Sequence, residues 1–218
     1  MTTRRSIIGG IGAATIGSTS GCLGFLTGSE PLEESARPAR VQSNVSESTG
    51  YELQGIEEQT LEETFEIAGQ ERTVIATNAV ATYEKALEIP LLGEARTGVF
   101  AVVSTPAFEI AGQSLNPVSN YDEAELVELV ASQYEGLRVG SQRARTTATT
   151  LGSDYEVAIF AGTATFQGQE VDVNVHTGSL RHEDDFLIPV GIYPQERADR
   201  ERAHVETLLD SLEHPVDA

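Results

Sequence analysis

The side chains that could do chemistry are few: four histidines, one cysteine and one lysine in a chain with 34 acidic residues. The densest local group is His182-Glu183-Asp184-Asp185, with His176 six residues upstream across an expected turn. Imidazoles and carboxylates at that spacing could hold a divalent cation through hard oxygen ligands. The group lacks the alternating Asp/Asn ladder and the glycine of a calcium loop. No histidine forms HxH, HExxH or a pairing with a nearby cysteine. A solvated acidic hairpin tip is the favoured reading, so no metal is expected, and His176, His182, Asp184 and Asp185 stand as weak candidates. Arg138, Arg143 and Arg145 make a modest basic patch. Arg143 and Arg145 alternate on an expected strand, share a face and could take a carboxylate or a phosphate. Pairing with acids on neighbouring strands is the favoured reading there. The part expected to fold carries neither a Gly-x-Ser-x-Gly elbow nor a Gly-rich phosphate loop, so no catalytic residue is assigned and no cofactor is expected.

The cysteine points to different chemistry. Arg4 and Arg5 precede Ser6-Ile7-Ile8, and a Gly- and Ala-rich apolar run follows to Ile16. Paired arginines ahead of a weak apolar run have the layout of a twin-arginine export signal. The run is too short to span a membrane, which takes about 20 predominantly apolar residues. Ser20 and Gly21, small residues directly before Cys22, resemble the lipobox of secreted lipoproteins. That resemblance implies a diacylglycerol-type lipid on the Cys22 sulfur and cleavage just before it. Residues 1–21 would then be a signal peptide, the twin-arginine translocase a partner during export, and the outer face of the cell membrane the destination. With Cys22 lipidated, no disulfide framework or cysteine metal site remains.

Charge narrows the partners. The net charge is −20, and it becomes −22 once the two signal arginines are removed. Such a surface repels phosphate backbones, so no nucleic-acid partner is expected. The acids are scattered, and Lys85 is the only lysine. Both points fit solvation by carboxylates in concentrated salt better than one focused cation site.

These side chains must be positioned by a folded body. Residues 22–50 are rich in Gly, Ser, Glu and Pro without apolar periodicity, and read as a flexible tether. Asn44-Val45-Ser46 is a glycosylation sequon in that exposed stretch, with Asn44 the acceptor. Residues 51–218 read as one globular domain. Strands are expected over 61–67, 72–85 and 97–105. A helix should follow from Asn120, capped by Asn120 with Glu123 in the reciprocal position, and carry Leu126, Leu129, Val130, Tyr134 and Leu137 as its apolar stripe. Strands over 137–150, 157–166, 171–176 and 186–193 are joined by short Gly turns, which implies antiparallel pairing. A last helix should run to about Glu213 with Ala198, Val205, Leu208, Leu209 and Leu212 inward. The six residues Phe65–Gln70 recur as Phe108–Gln113 without matching flanks, which fits one turn solution used twice. The expected class is α+β, an antiparallel sheet flanked by two amphipathic helices.

The export and lipobox residues, the polar stretch, the Arg72–Asn78 strand and the closing Ile188-Pro189-Val190-Gly191-Ile192-Tyr193-Pro194 with its helix resemble an uncharacterised haloarchaeal lipoprotein family. The element order is similar to PsbP-like domains, which sandwich an antiparallel sheet between helices. The resemblance implies a lipid-anchored surface protein of a halophile. It would act as a non-catalytic binding or assembly module for an unknown surface protein or small ligand. The alternative is a surface hydrolase or metal-dependent enzyme whose site is assembled from distant residues.

Overall fold

A computed structural model describes residues 30–217, apart from 68–69, 90–92, 111–112, 115, 135 and 167. Arg4, Arg5 and Cys22 lie outside the described residues. The chain begins with β1 (Leu32–Ser35), β2 (Arg40–Val41) and a short helix α1 (Ser43–Thr49), then the long strands β3 (Glu52–Ile67), β4 (Gln70–Ile89) and β5 (Gly93–Pro106). A small hairpin, β6 (Glu109–Ile110) and β7 (Gln113–Ser114), precedes α2 (Glu123–Gln133). Next come β8 (Arg138–Thr150), β9 (Ser153–Phe166), β10 (Gln169–Gly178), β11 (Leu180–His182) and β12 (Asp185–Pro194). Helix α3 (Ala198–Leu209) and β13 (Leu212–Glu213) close the chain. Contacts divide the chain into a main unit, Glu33–Glu62 with Ile75–Ala218, and a smaller one that includes Glu63–Val74. In the smaller unit the hydroxyls of Thr64 and Thr73 lie 3.3 Å apart.

The large sheet has the order β1-β4-β5-β12-β10-β9-β8, and the pairings from β4 to β8 are antiparallel. The antiparallel, mixed α+β class agrees with the sequence reading. The position of β12 does not follow chain order: the last long strand inserts between β5 and β10. Its burial explains why, since nearly every residue from Asp185 to Pro194 is covered on both faces. Pro189 sits in this central strand without an N–H to donate. It lies opposite the break between β10 and β11, where Gly178 and Ser179 leave the ladder before Leu180 rejoins it against Leu187.

Alternation along β12 separates two cores. Leu187 and Tyr193 cluster with Val205, Leu208 and Leu209 of α3, whereas Ile188, Val190 and Ile192 cluster with Leu126, Val127 and Val130 of α2. Successive side chains of a strand point to opposite faces, so each helix covers its own face of the sheet. Burying one such aliphatic side chain contributes roughly 1.5–3 kcal/mol.

Four sequence expectations need correction. The stretch expected as a tether to residue 50 is folded in its second half: Ala39 and Val41 are core residues, Val45 packs against them, and the Val41 N–H donates to the Tyr83 hydroxyl at 2.8 Å. Three helices are described rather than two, because α1 lies in that half; Asn44 is on its first turn, exposed. Helix α2 starts two residues later than expected. Asp122 caps it, its carboxylate accepting from the N–H groups of Ala124 and Glu125 at 2.9 Å, while the Glu125 carboxylate accepts from Asp122 N–H. Asn116 and Pro117 use the preceding residues for a separate 3₁₀ turn. Val127 replaces Leu129 on the inner stripe, since Leu129 is 37% exposed. Finally, α3 stops at Leu209, and Leu212 lies in β13, paired with Val41. The repeated hexapeptide marks hairpins in both copies, β3–β4 and β6–β7, although residues 68–69 and 111–112 at the turns lie outside the described residues. Among the described residues no helix is long and apolar enough to cross a membrane.

Candidate functional site

Two clusters of ionisable side chains are buried in the main unit, and glycines make room for the first. Lys85 of β4 pairs with Gly98 of β5. A Cβ at Gly98 would come within 3.1 Å of the Tyr51 hydroxyl and 3.2 Å of Lys85 Cβ, so the missing side chain is what lets Tyr51 lie against Lys85. Gly191 does the same for the helix: a Cβ there would sit 2.5 Å from Val205 Cγ1. One turn before Val205, α3 carries Glu201, and His204 is on the same helix.

The result is a closed knot. Lys85 Nζ donates to Glu201 Oε1 and Oε2 at 2.8 and 2.9 Å, and lies 2.8 Å from His204 Nδ1. The Tyr51 hydroxyl donates to Glu201 Oε2 at 3.2 Å, and the ammonium stands 5.2 Å from the Tyr51 ring centre. Side-chain exposure is 13% for Lys85 and 3% for Glu201. Burial, and after it the Glu201 charge, pushes the Tyr51 phenol well above its ordinary range. The sequence reading did not assign this site. One signal could have found it: a chain that avoids lysine everywhere else keeps Lys85.

The second cluster gathers part of the predicted group. His182 ends β11, and Asp185 opens β12 directly across the Glu183-Asp184 turn. The Asp185 carboxylate, 3% exposed, accepts from the Arg37 backbone N–H at 3.1 Å and from His214 Nε2 at 3.1 Å; Arg37 Nε stands 3.8 Å away. His214 Nδ1 in turn lies 2.9 Å from His182 Nδ1, the two rings meeting edge to face at 76°. Because His214 gives its Nε2 proton to a carboxylate, its Nδ1 is the acceptor, and His182 is the donor in the neutral pair. The arrangement is a chain, Asp185 to His214 to His182, running from a buried carboxylate to a half-buried ring. Glu183 turns away and pairs with Arg37.

His176 and Asp184, the other two predicted candidates, are not in this chain. Asp184 is exposed on the turn and contributes only a backbone carbonyl, which accepts from Ala107 N–H at 2.8 Å. His176 is in β10, fully buried, with Nε2 2.8 Å from the Tyr193 hydroxyl and no partner for Nδ1. Burial, helped by the nearby Arg202 charge, lowers its pKa to about 4, so it is neutral at ordinary pH. His214, 32 residues beyond His182, went unrecognised in the sequence. Two of the three arginines pair with acids, Arg138 with Glu170 at 2.9 Å and Arg145 with Glu123 and Glu156 at 3.2 and 3.3 Å, and of these Glu156 on β9 is the expected neighbouring-strand partner. Arg143 donates to Gln195 Oε1 at 3.0 Å. Among the described residues no group of three or more His, Cys, Asp or Glu side chains is disposed to hold a metal ion.

Residues 38–213 match the profile of a family described as a domain of unknown function, DUF6517. A match that begins at residue 38 agrees with the packing of Ala39 and Val41. None of the curated proteins searched matches the chain. Among solved structures it is similar to PA94, a protein of unknown function from Pseudomonas aeruginosa, at 12% identity and a TM-score of 0.36, with 72% of this chain and 99% of that one covered. It is similar to cyanobacterial PsbP (CyanoP) from Synechocystis at 9% identity and a TM-score of 0.38, covering 82% and 92%. A third is LpqN, involved in cell envelope biogenesis of Mycobacterium tuberculosis, at 8% identity and 0.29, covering 72% and 90%. At these scores none of the three supplies a role for a residue here.

Proposed function

The chain belongs to the DUF6517 family, and from that premise we propose that it is a lipid-anchored module on the outer face of the cell membrane, a binding or assembly unit rather than an enzyme. The observation that carries the anchor is the order of Arg4-Arg5, apolar run, Ser20-Gly21 and the lone Cys22. A paired arginine or a solitary cysteine means little alone; their sequence and spacing reproduce an export signal followed by a lipid acceptor. The acidic, lysine-poor surface supports a home in concentrated salt, where self-repulsion is screened within a few ångströms. The Lys85 knot supports a structural rather than a catalytic part for this lysine: its ammonium is held by a carboxylate, an imidazole and an aromatic face. A lysine so engaged serves as a strut rather than as a nucleophile.

Fractionation tests the anchor. In a host with twin-arginine export and lipoprotein processing, the wild-type chain is expected in the membrane pellet. Cys22→Ser is expected in the soluble fraction outside the membrane. Replacing Arg4 and Arg5 by lysine should leave precursor in the cytosol. Retention of the Cys22→Ser chain in washed membranes rejects the lipid anchor, and unchanged export of the lysine pair rejects the route.

A further inference from the structure

The Asp185–His214–His182 chain ends in two imidazole nitrogens that face each other at 2.9 Å. We propose that His182 and His214 form a two-nitrogen site for a divalent transition-metal ion of the zinc and cobalt class, with Asp185 as the carboxylate behind the inner ring. The donors decide the class. Sequence adjacency offered oxygen ligands and therefore calcium; folding removes Glu183 to Arg37 and sets two imidazole nitrogens 2.9 Å apart instead. Imidazole suits zinc, cobalt, nickel and copper, and hard cations prefer oxygen.

The geometry needs little change. Asp185 Oδ2 accepts a hydrogen bond from His214 Nε2–H, which leaves the His214 Nδ1 lone pair facing His182. A carboxylate bonded to the far nitrogen of a ligating histidine is the usual outer partner of a metal-bound ring: it fixes the tautomer and raises the basicity of the ligand. Tetrahedral bonds of about 2.0–2.1 Å place two nitrogens about 3.3 Å apart, so the rings must open by about 0.4 Å and tilt so that their lone pairs converge beside the line joining the two nitrogens. His182 is half-buried beside a two-residue turn and can give by that amount, while His214 is fully enclosed. Binding forms two nitrogen–metal bonds. The His182 proton leaves Nδ1 and a proton is gained at Nε2, so both rings stay neutral and no net proton is released. Local charge favours a cation through Asp185, whose carboxylate lies 3.1 Å from His214 Nε2, while Glu183 is paired with Arg37. The remaining coordination positions fall to water or to a donor on an incoming ligand, the condition of an open site rather than a closed structural one.

Cobalt(II) is the probe, because its visible absorption reports nitrogen coordination. Titrations of the full chain use millimolar calcium throughout, so that surface carboxylates are occupied by a hard ion. The wild type is expected to give a single saturable band that zinc abolishes. His182→Gln, folded by circular dichroism, should bind at least 10-fold more weakly. Asp185→Asn keeps both ligands and should bind about 10–100-fold more weakly with an unchanged band shape. His176→Gln and Cys22→Ser should behave as wild type, which separates this site from the lipid anchor. No calcium-resistant band in the wild type, or a band that survives His182→Gln unchanged, overturns the proposal.

Discussion

The Lys85 knot and the Asp185–His214–His182 chain are both buried, both ionisable and both built from residues distant in sequence, yet they end differently. In the knot ammonium, carboxylate, imidazole Nδ1 and phenol satisfy one another between β4 and α3, and the partly exposed Lys85 and His204 both turn to the Glu201 carboxylate. The chain also ties segments together, the β11–β12 hairpin to the residues after β13, but its last member is a half-buried ring. A closed set of charges can only hold the fold. A set that ends at solvent can hold the fold and still meet something from outside. The proposed metal site lies in the second region although the first has the more conspicuous residues.

The largest effect is expected from opening the knot. Lys85→Met removes the cation and leaves a carboxylate that is 3% exposed with only a phenol and an imidazole beside it. An uncompensated buried charge costs about 3–5 kcal/mol. Denaturant unfolding should show that loss for Lys85→Met. The double replacement Lys85→Met with Glu201→Leu should recover most of it, since well-packed apolar pairs often match a buried ion pair. A single-mutant loss below about 1 kcal/mol would mean that the knot is not holding α3.

His176 sharpens the contrast from another side. It is as deeply buried as His214 but has no carboxylate, and its folded pKa of about 4 lies below the ordinary 6.5. Between those values the unfolded chain binds a proton that the folded chain refuses, so stability rises with pH there. The contribution is complete above pH 6.5, falls as pH drops towards 4, and is constant below. Over the window it amounts to about 3 kcal/mol. His176→Gln, whose amide can still meet the Tyr193 hydroxyl, should flatten that acid slope in unfolding midpoints measured from pH 7 to 4. An equally steep slope in the variant would assign the acid sensitivity elsewhere.

What could be read in advance followed from periodicity and adjacency. A strand was expected over 186–193, and short Gly turns implied antiparallel neighbours; both hold. That β12 pairs with β5 could not be read, because the choice depends on which edge is free after three intervening strands have formed. Residues 38–50 looked like a tether because Ala39, Val41 and Val45 are scattered among polar residues, with no period to betray them. Their burial comes from tertiary contact with Tyr83 and α3. At the site, His182 and Asp185 are neighbours in sequence and were legible as a pair. His214 was not, since only the β13–β2 pairing brings the end of the chain beside that hairpin. The single lysine was visible as a count; its meaning needed the helix.

The smallest expected effect tests the comparison most directly. Because His182 is the terminal, half-buried member of its chain, replacing it removes one neutral hydrogen bond and leaves the inner pair, His214 and Asp185, intact. Such a bond contributes about 0.5–1.5 kcal/mol. Water can reach the His214 nitrogen once the ring is gone, which keeps the cost towards the lower end. His182→Gln should therefore lose about 1 kcal/mol or less in denaturant unfolding without metal, several-fold less than Lys85→Met, while losing the cobalt band. A residue whose removal costs the fold little and the ligand much is placed for binding. If His182→Gln destabilised the metal-free chain as severely as Lys85→Met, the two regions would be struts of one kind, and the distinction between a closed and an open cluster would lose its physical content.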